Sequence, residues 1–129
     1  MGTPAAVMGD RIVATCAIHL IPGAAGAPVK SPPLSFSSPL RQGLATKVLI
    51  GGKPAAVQGS SGLNQPSHAG LHASDPFTVA MTQQGTVALG SATVLIENKP
   101  AAKTGSPCTV CGQMPGELIG SAATVLIGG

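Results

Sequence analysis

The chain is 129 residues long, enough for one domain spanning 1–129. It holds 18 Gly and 12 Pro, no Trp or Tyr, and only two Phe, so a core must come from Val, Leu, Ile and Ala; its 43% hydrophobic and 9% charged residues exclude a solvated coil. Net charge is +3, but the seven Lys and Arg are dispersed and stacking aromatics are lacking, which argues against a nucleic-acid partner.

From the N-terminus, Thr3-Pro4-Ala5-Ala6-Val7 opens the chain. Ile12 to Leu20 is apolar after Arg11, but His19 and Pro22 interrupt it, so neither a cleaved signal nor a membrane span is expected, and synthesis in the cytoplasm is. Gly26 to Pro39 is rich in Pro and Ser and reads as extended loop. Val48-Leu49-Ile50-Gly51-Gly52-Lys53-Pro54-Ala55-Ala56 follows: a β-branched run, a pair tolerant of positive φ, and a return segment. A second insert, Gly59 to Thr86, is broken by Pro and Gly and shows no long helical period. The phrase then recurs as Val94-Leu95-Ile96-Glu97-Asn98-Lys99-Pro100-Ala101-Ala102, and Thr124-Val125-Leu126-Ile127-Gly128-Gly129 closes the chain. Gly90-Ser91-Ala92-Thr93 and Gly120-Ser121-Ala122-Ala123-Thr124 lead into two of the three runs. Joined to Thr3–Val7, the closing run completes a third copy. The expected fold is therefore all-β: a pseudo-three-fold arrangement of hairpins with long irregular loops, whose termini meet as neighbouring strands. A core this thin needs a staple such as a metal or a partner chain.

The cysteines and histidines fall in three clusters, each after a Pro-Ala-Ala phrase. These are Cys16-Ala17-Ile18-His19, His68 with His72, and Cys108-Thr109-Val110-Cys111. An odd cysteine count with a Cys-x-x-Cys spacing suits metal or reduced thiols better than a disulfide framework. Loops converging on a three-fold axis would bring imidazoles and a thiolate together as a closed tetrahedral Zn²⁺ site, a structural one because four protein ligands leave no open position. Catalysis has little support, since Asp10, Asp75, Glu97 and Glu117 form no evident acid–base pair and no nucleophile elbow or phosphate loop is present.

Pro4-Ala5-Ala6, Lys53-Pro54-Ala55-Ala56 and Lys99-Pro100-Ala101-Ala102, with their Gly-Ser lead-ins, make the whole chain resemble the PAAR-repeat proteins. The fourth letter of that motif, arginine, is replaced by Val7, Val57 and Lys103. The resemblance implies a small β-rich cone whose base sits on a trimeric spike protein of the valine-glycine repeat type. Such spikes belong to type VI secretion or related contractile injection systems. It implies one structural zinc per chain near the vertex, typically held by three histidines and a cysteine: here His19, His68, His72 and Cys111, with Cys108 as the alternative cysteine. It also implies a non-enzymatic role in sharpening the spike for membrane puncture. The protein would be cytoplasmic before firing and carried out of the cell afterwards, with transient contact with the target membrane. The expected docking edges are Val48, Leu49 and Ile50, Val94, Leu95 and Ile96, and Val125, Leu126 and Ile127. No fused effector is expected, which leaves two rival readings. One is an adaptor that recruits a toxin through Gly26–Pro39; the other is a zinc hydrolase, which would need His19, His68 and His72 around an open position.

Overall fold

The computed structural model describes residues 2–112 and 114–128. Fourteen short strands run through them: β1 (Thr3–Ala5), β2 (Arg11–Cys16), β3 (Leu20–Pro22), β4 (Pro28–Lys30), β5 (Leu34–Pro39), β6 (Ala45–Ile50), β7 (Lys53–Ala55), β8 (Ser61–Leu63), β9 (Gln84–Val87), β10 (Leu95–Ile96), β11 (Lys99–Pro100), β12 (Pro107–Val110), β13 (Met114–Ile119) and β14 (Ala122–Ile127). The helical content among them is two single 3₁₀ turns, Ala24–Gly26 and Ala80–Thr82. No helix among the described residues is long and apolar enough to cross a membrane.

Three of the strand pairs are the repeated phrases. In β6–β7 and β10–β11, Gly51-Gly52 and Glu97-Asn98 have positive φ at both positions (60° and 83°, 50° and 68°), as a tight two-residue turn between twisted strands requires. The third pair is β1 with β14, Thr3 opposite Ile127 and Pro4 opposite Leu126, so the chain ends lie side by side. Within each pair a leucine faces a proline: Leu49–Pro54, Leu95–Pro100 and Leu126–Pro4. Proline offers no N–H to a neighbour, but its carbonyl is used. Met8 N–H donates to the Pro54 carbonyl, Gln58 to Pro100 and Thr104 to Pro4, at 2.9, 2.8 and 2.9 Å.

The alanines after those prolines close a ring on the pseudo-three-fold axis. Ala6 N–H donates to the Ala102 carbonyl (3.3 Å), Ala102 to Ala56 (3.0 Å) and Ala56 to Ala6 (2.9 Å). All three are buried, and any larger side chain would force the strands apart at this point. One turn further on, Asp10, Ser60 and Ser106 accept from the N–H groups of Val7, Val57 and Lys103 through their side chains. Val7, Val57 and Lys103, each following the second alanine, thus offer a capped backbone N–H, which any residue but proline can supply.

The remaining strands form a six-stranded antiparallel sheet in the order β5-β2-β13-β12-β9-β8. Its two edges nearly meet. Arg41 and Gln42 N–H donate to the Ser61 carbonyl, Ser61 N–H donates to Gln42, and Gln65 N–H donates to Ser37. Gly62 permits that approach, since a Cβ there would lie 1.8 Å from the Pro39 carbonyl oxygen. Period-2 alternation turns Ile12 and Cys16 of β2 inward while Val13 and Thr15 face out. Inside pack Ile12, Phe36, Leu40, Val87, Val110 and Leu118, each worth about 1.5–3 kcal/mol of burial. A smaller cluster under the hairpins holds Val7, Ala45, Ile50, Val57 and Ile127.

Gly26–Pro39, read from its prolines as loop, is largely strand. It supplies β4 and β5, and β5 pairs with β2 over six residues, from Arg11–Pro39 to Cys16–Leu34. The prolines are tolerated because Pro28 and Pro39 sit at strand ends and β5 is an edge of its sheet.

Candidate metal centre

Strands β2 and β12 leave the alanine ring at Asp10 and Ser106 and run away from it. At about 3.3 Å per residue, Cys16 and Cys111 lie well removed from the hairpins. Cys16 is the last inward residue of β2. Cys111 begins the turn after β12, held with φ +44° by its N–H bond to the Gln84 carbonyl (3.2 Å), a left-handed conformation that non-glycine residues rarely adopt. His19 follows three residues after Cys16, and His68 enters from the 64–83 loop. One donor atom from each of Cys16, His19, His68 and Cys111 lies within 4.8 Å of every other. The His19 and His68 rings meet edge to face with centroids 4.7 Å apart, and Phe77 caps His19 at 5.6 Å.

The hydrogen bonding leaves these donors aimed inward. His19 is fully buried, and its Nδ1 donates to Asp75 Oδ2 at 3.2 Å, because a carboxylate can only accept. In the neutral imidazole, that bond leaves the lone pair on Nε2. His19 Nε2 and His68 Nε2 are two of the three buried side-chain polar atoms without a partner among the described residues, the other being Ser38 Oγ. Orphaned buried nitrogens are costly, about 1–3 kcal/mol each, unless a ligand engages them. Hydrogen bonding from Cys111 outweighs burial and, helped by His68 and His19, pulls the Cys16 thiol down to about 5, while the same contact and burial push Cys111 up. A buried pair of imidazole nitrogens and a pair of sulfurs is a set that could hold a metal ion. In a tetrahedral site such donors stand about 3.3–3.8 Å apart, a small inward movement from the arrangement here.

No family model, curated protein or solved structure matches this chain. The geometry alone therefore sorts the residues expected from the sequence. His19, His68 and Cys111 come together. Cys108 does not join them: it is buried on β12, its Sγ donates to the Ser106 carbonyl, and burial pushes the thiol up to about 12. His72 lies outside this cluster, with Nε2 on the Gly26 carbonyl (2.9 Å) and Nδ1 beside Ser74 (2.8 Å). The fourth corner is Cys16. It was visible as Cys-x-x-His, a spacing that brings both side chains to one point when a strand ends between them.

Two positioning residues had no sequence signal. Asp75 lies 56 residues from His19 and collects three donors: His19 Nδ1, the Leu20 N–H (2.8 Å) and the Phe77 N–H (2.7 Å). Burial works to raise its carboxyl, but the two backbone N–H bonds and His19 outweigh it and hold the group below the usual range. Gln83, fully buried, frames His68. Its Oε1 accepts from the His68 N–H (2.7 Å) and Asn64 Nδ2 (3.1 Å), and its Nε2 donates to the carbonyls of His68 and Phe77.

Proposed function

We propose that this protein is a PAAR-type tip: a zinc-fastened β cone that caps a trimeric spike of a type VI secretion or related contractile injection system and has no catalytic role. The observation that carries the reading is the closed ring Ala6–Ala102–Ala56, which gives one chain three-fold symmetry in its backbone hydrogen bonds. A pseudo-three-fold surface matches a trimer's end three times over. On the hairpins, Leu49, Leu95 and Leu126 are 60%, 62% and 60% exposed at equivalent positions, while Ile50 and Ile127 point into the core beneath them. Three exposed leucines at equivalent positions offer one apolar contact to each copy of a trimeric partner. In this reading they and the neighbouring valines are the docking face, and the protein waits in the cytoplasm until the device fires through a target membrane.

At the other end, Cys16, His19, His68 and Cys111 would hold the ion, and Zn²⁺ best suits two thiolates and two imidazoles in a closed site. A bound zinc would supply a cross-link between segments far apart in sequence, without an open position for substrate. Asp75 orients His19, Gln83 fixes the His68 backbone, and Phe77 packs edge to face against the His19 ring. The testing experiment is co-purification with a trimeric spike protein. The triple variant Leu49→Glu, Leu95→Glu, Leu126→Glu should lose the spike while its thermal midpoint stays near wild type, because exposed positions cost within about 0.5 kcal/mol. Retained spike binding by the folded triple variant would reject the docking face.

A further inference from the structure

We infer that the Cys16–Cys111 pair makes this centre a redox-exchangeable staple, in which a peroxide-class oxidant replaces the metal by a Cys16–Cys111 disulfide. The inference rests on the metal reading above, and two observations carry it beyond that reading. The two cysteines of the cluster belong to different segments, the end of β2 and the turn after β12, yet their sulfurs lie within 4.8 Å of each other. A bridge between them would therefore still fasten the same two elements. The second is access: an open cavity of about 490 Å³ lined by Ile18, Phe77, Gly112 and Met114 runs up to Cys111, which is itself 1% exposed. A molecule the size of hydrogen peroxide fits it many times over, and Gly112, with φ +87° next to Cys111, lies on the turn that must shift for the sulfurs to reach bonding distance of about 2.04 Å.

The chemistry balances as follows. The Cys111 sulfur, a thiolate as a metal ligand would be, attacks one peroxide oxygen; an S–O bond forms, the O–O bond breaks, and the departing hydroxide takes a proton to become water. The Cys16 thiolate then attacks the Cys111 sulfur; the S–S bond forms, the S–O bond breaks, and a second hydroxide leaves and is protonated to water. The two sulfurs together give up two electrons, and the peroxide is reduced to two waters. Neither sulfur then remains a thiolate ligand. His19 and His68 alone hold a cation far more weakly, so the ion leaves and the His68 loop is freed while β2 stays tied to β12. Cys108, hydrogen-bonded inside the sheet, stays out of the exchange.

The test loads the reduced full chain with Zn²⁺, adds hydrogen peroxide, and follows released zinc with a colorimetric chelator. Free thiols are counted by alkylation in denaturant, and the bridge is mapped by peptide mass spectrometry. The expected result is one zinc released per Cys16–Cys111 bridge, with alkylatable thiols falling from three to one. Dithiothreitol with fresh zinc should restore both. Reduced protein that takes up no zinc overturns the metal reading and the exchange with it. Bound zinc that peroxide does not free, zinc freed with Cys111 sulfinic acid and no bridge, or a bridge to Cys108 each overturns the exchange alone. Cys16→Ser serves as the second arm: it should give oxygenated Cys111 and no intramolecular bridge.

Discussion

Asp75→Asn is the substitution whose outcome the structure specifies most closely. Asp75 Oδ2 accepts from the Leu20 N–H and His19 Nδ1, and Oδ1 accepts from the Phe77 N–H. Asparagine has one carbonyl oxygen. If it takes the Oδ2 place, two bonds survive as neutral ones and the amide NH₂ faces the Phe77 N–H, donor against donor. Turning bonds to a charged group (about 1.5–3 kcal/mol) into neutral ones (about 0.5–1.5 kcal/mol) loses roughly 1 kcal/mol twice, and the half-buried Phe77 N–H adds about 1 more. For a chain of 129 residues, a loss of about 3 kcal/mol lowers the midpoint by roughly 9–15 °C. The assay is thermal unfolding of metal-free wild type and variant at pH 7 and pH 3, with Zn²⁺ competition at pH 7. Affinity should fall about 10–100-fold, because His19 loses the carboxylate that sets its tautomer. The sign with pH follows from the depressed carboxyl. Its contribution is present above the ordinary value of 3.8 and is lost as pH falls through the lower folded value, so the gap between wild type and variant narrows toward pH 3. A metal-free midpoint unchanged at pH 7, with zinc affinity within two-fold of wild type, would refute the assigned role of Asp75.

Cys16→Ser should weaken Co²⁺ or Zn²⁺ binding by more than about 100-fold, beyond what outer-sphere changes cost. His72→Ala should leave affinity within about two-fold; thiolate-to-Co²⁺ absorption titrations separate them, and the opposite ranking would return His72 to the site. Removing metal from loaded protein with a chelator should lower the midpoint by roughly 12–20 °C, since a ligand at about 1,000 times its Kd contributes about 4 kcal/mol. Scanning calorimetry with and without chelator checks this, and equal midpoints would mean the ion does not fasten the fold. Gly62→Ala places a Cβ 1.8 Å from the Pro39 carbonyl oxygen and must push β5 away from β8. A destabilisation of about 1–3 kcal/mol is expected in urea unfolding, and a neutral result would show that the two sheet edges do not approach so closely.

The sequence by itself determined the local geometry of the repeats. β-branched runs around Gly51-Gly52 and Glu97-Asn98 specify tight hairpins because few residue pairs accept positive φ twice, and the split third copy required Thr3–Ala5 to meet Ala122–Ile127. The three clusters that hold His19, His68 and Cys111 were legible because each follows a Pro-Ala-Ala phrase and the symmetry brings those loops to one place. Only the tertiary structure made Pro- and Ser-rich Leu34–Pro39 a strand: local propensity argues for loop there, but pairing with β2 and burial of Phe36 override it. It likewise brought Cys16 rather than His72, and Cys111 rather than Cys108, into the cluster. Spacing says which residues are near in the chain, whereas a donor's direction depends on which strand face it occupies and on which partner its other atoms already have. His72 spends both ring nitrogens on Gly26 and Ser74, while His19, with Nδ1 held by Asp75, keeps Nε2 open toward the two sulfurs.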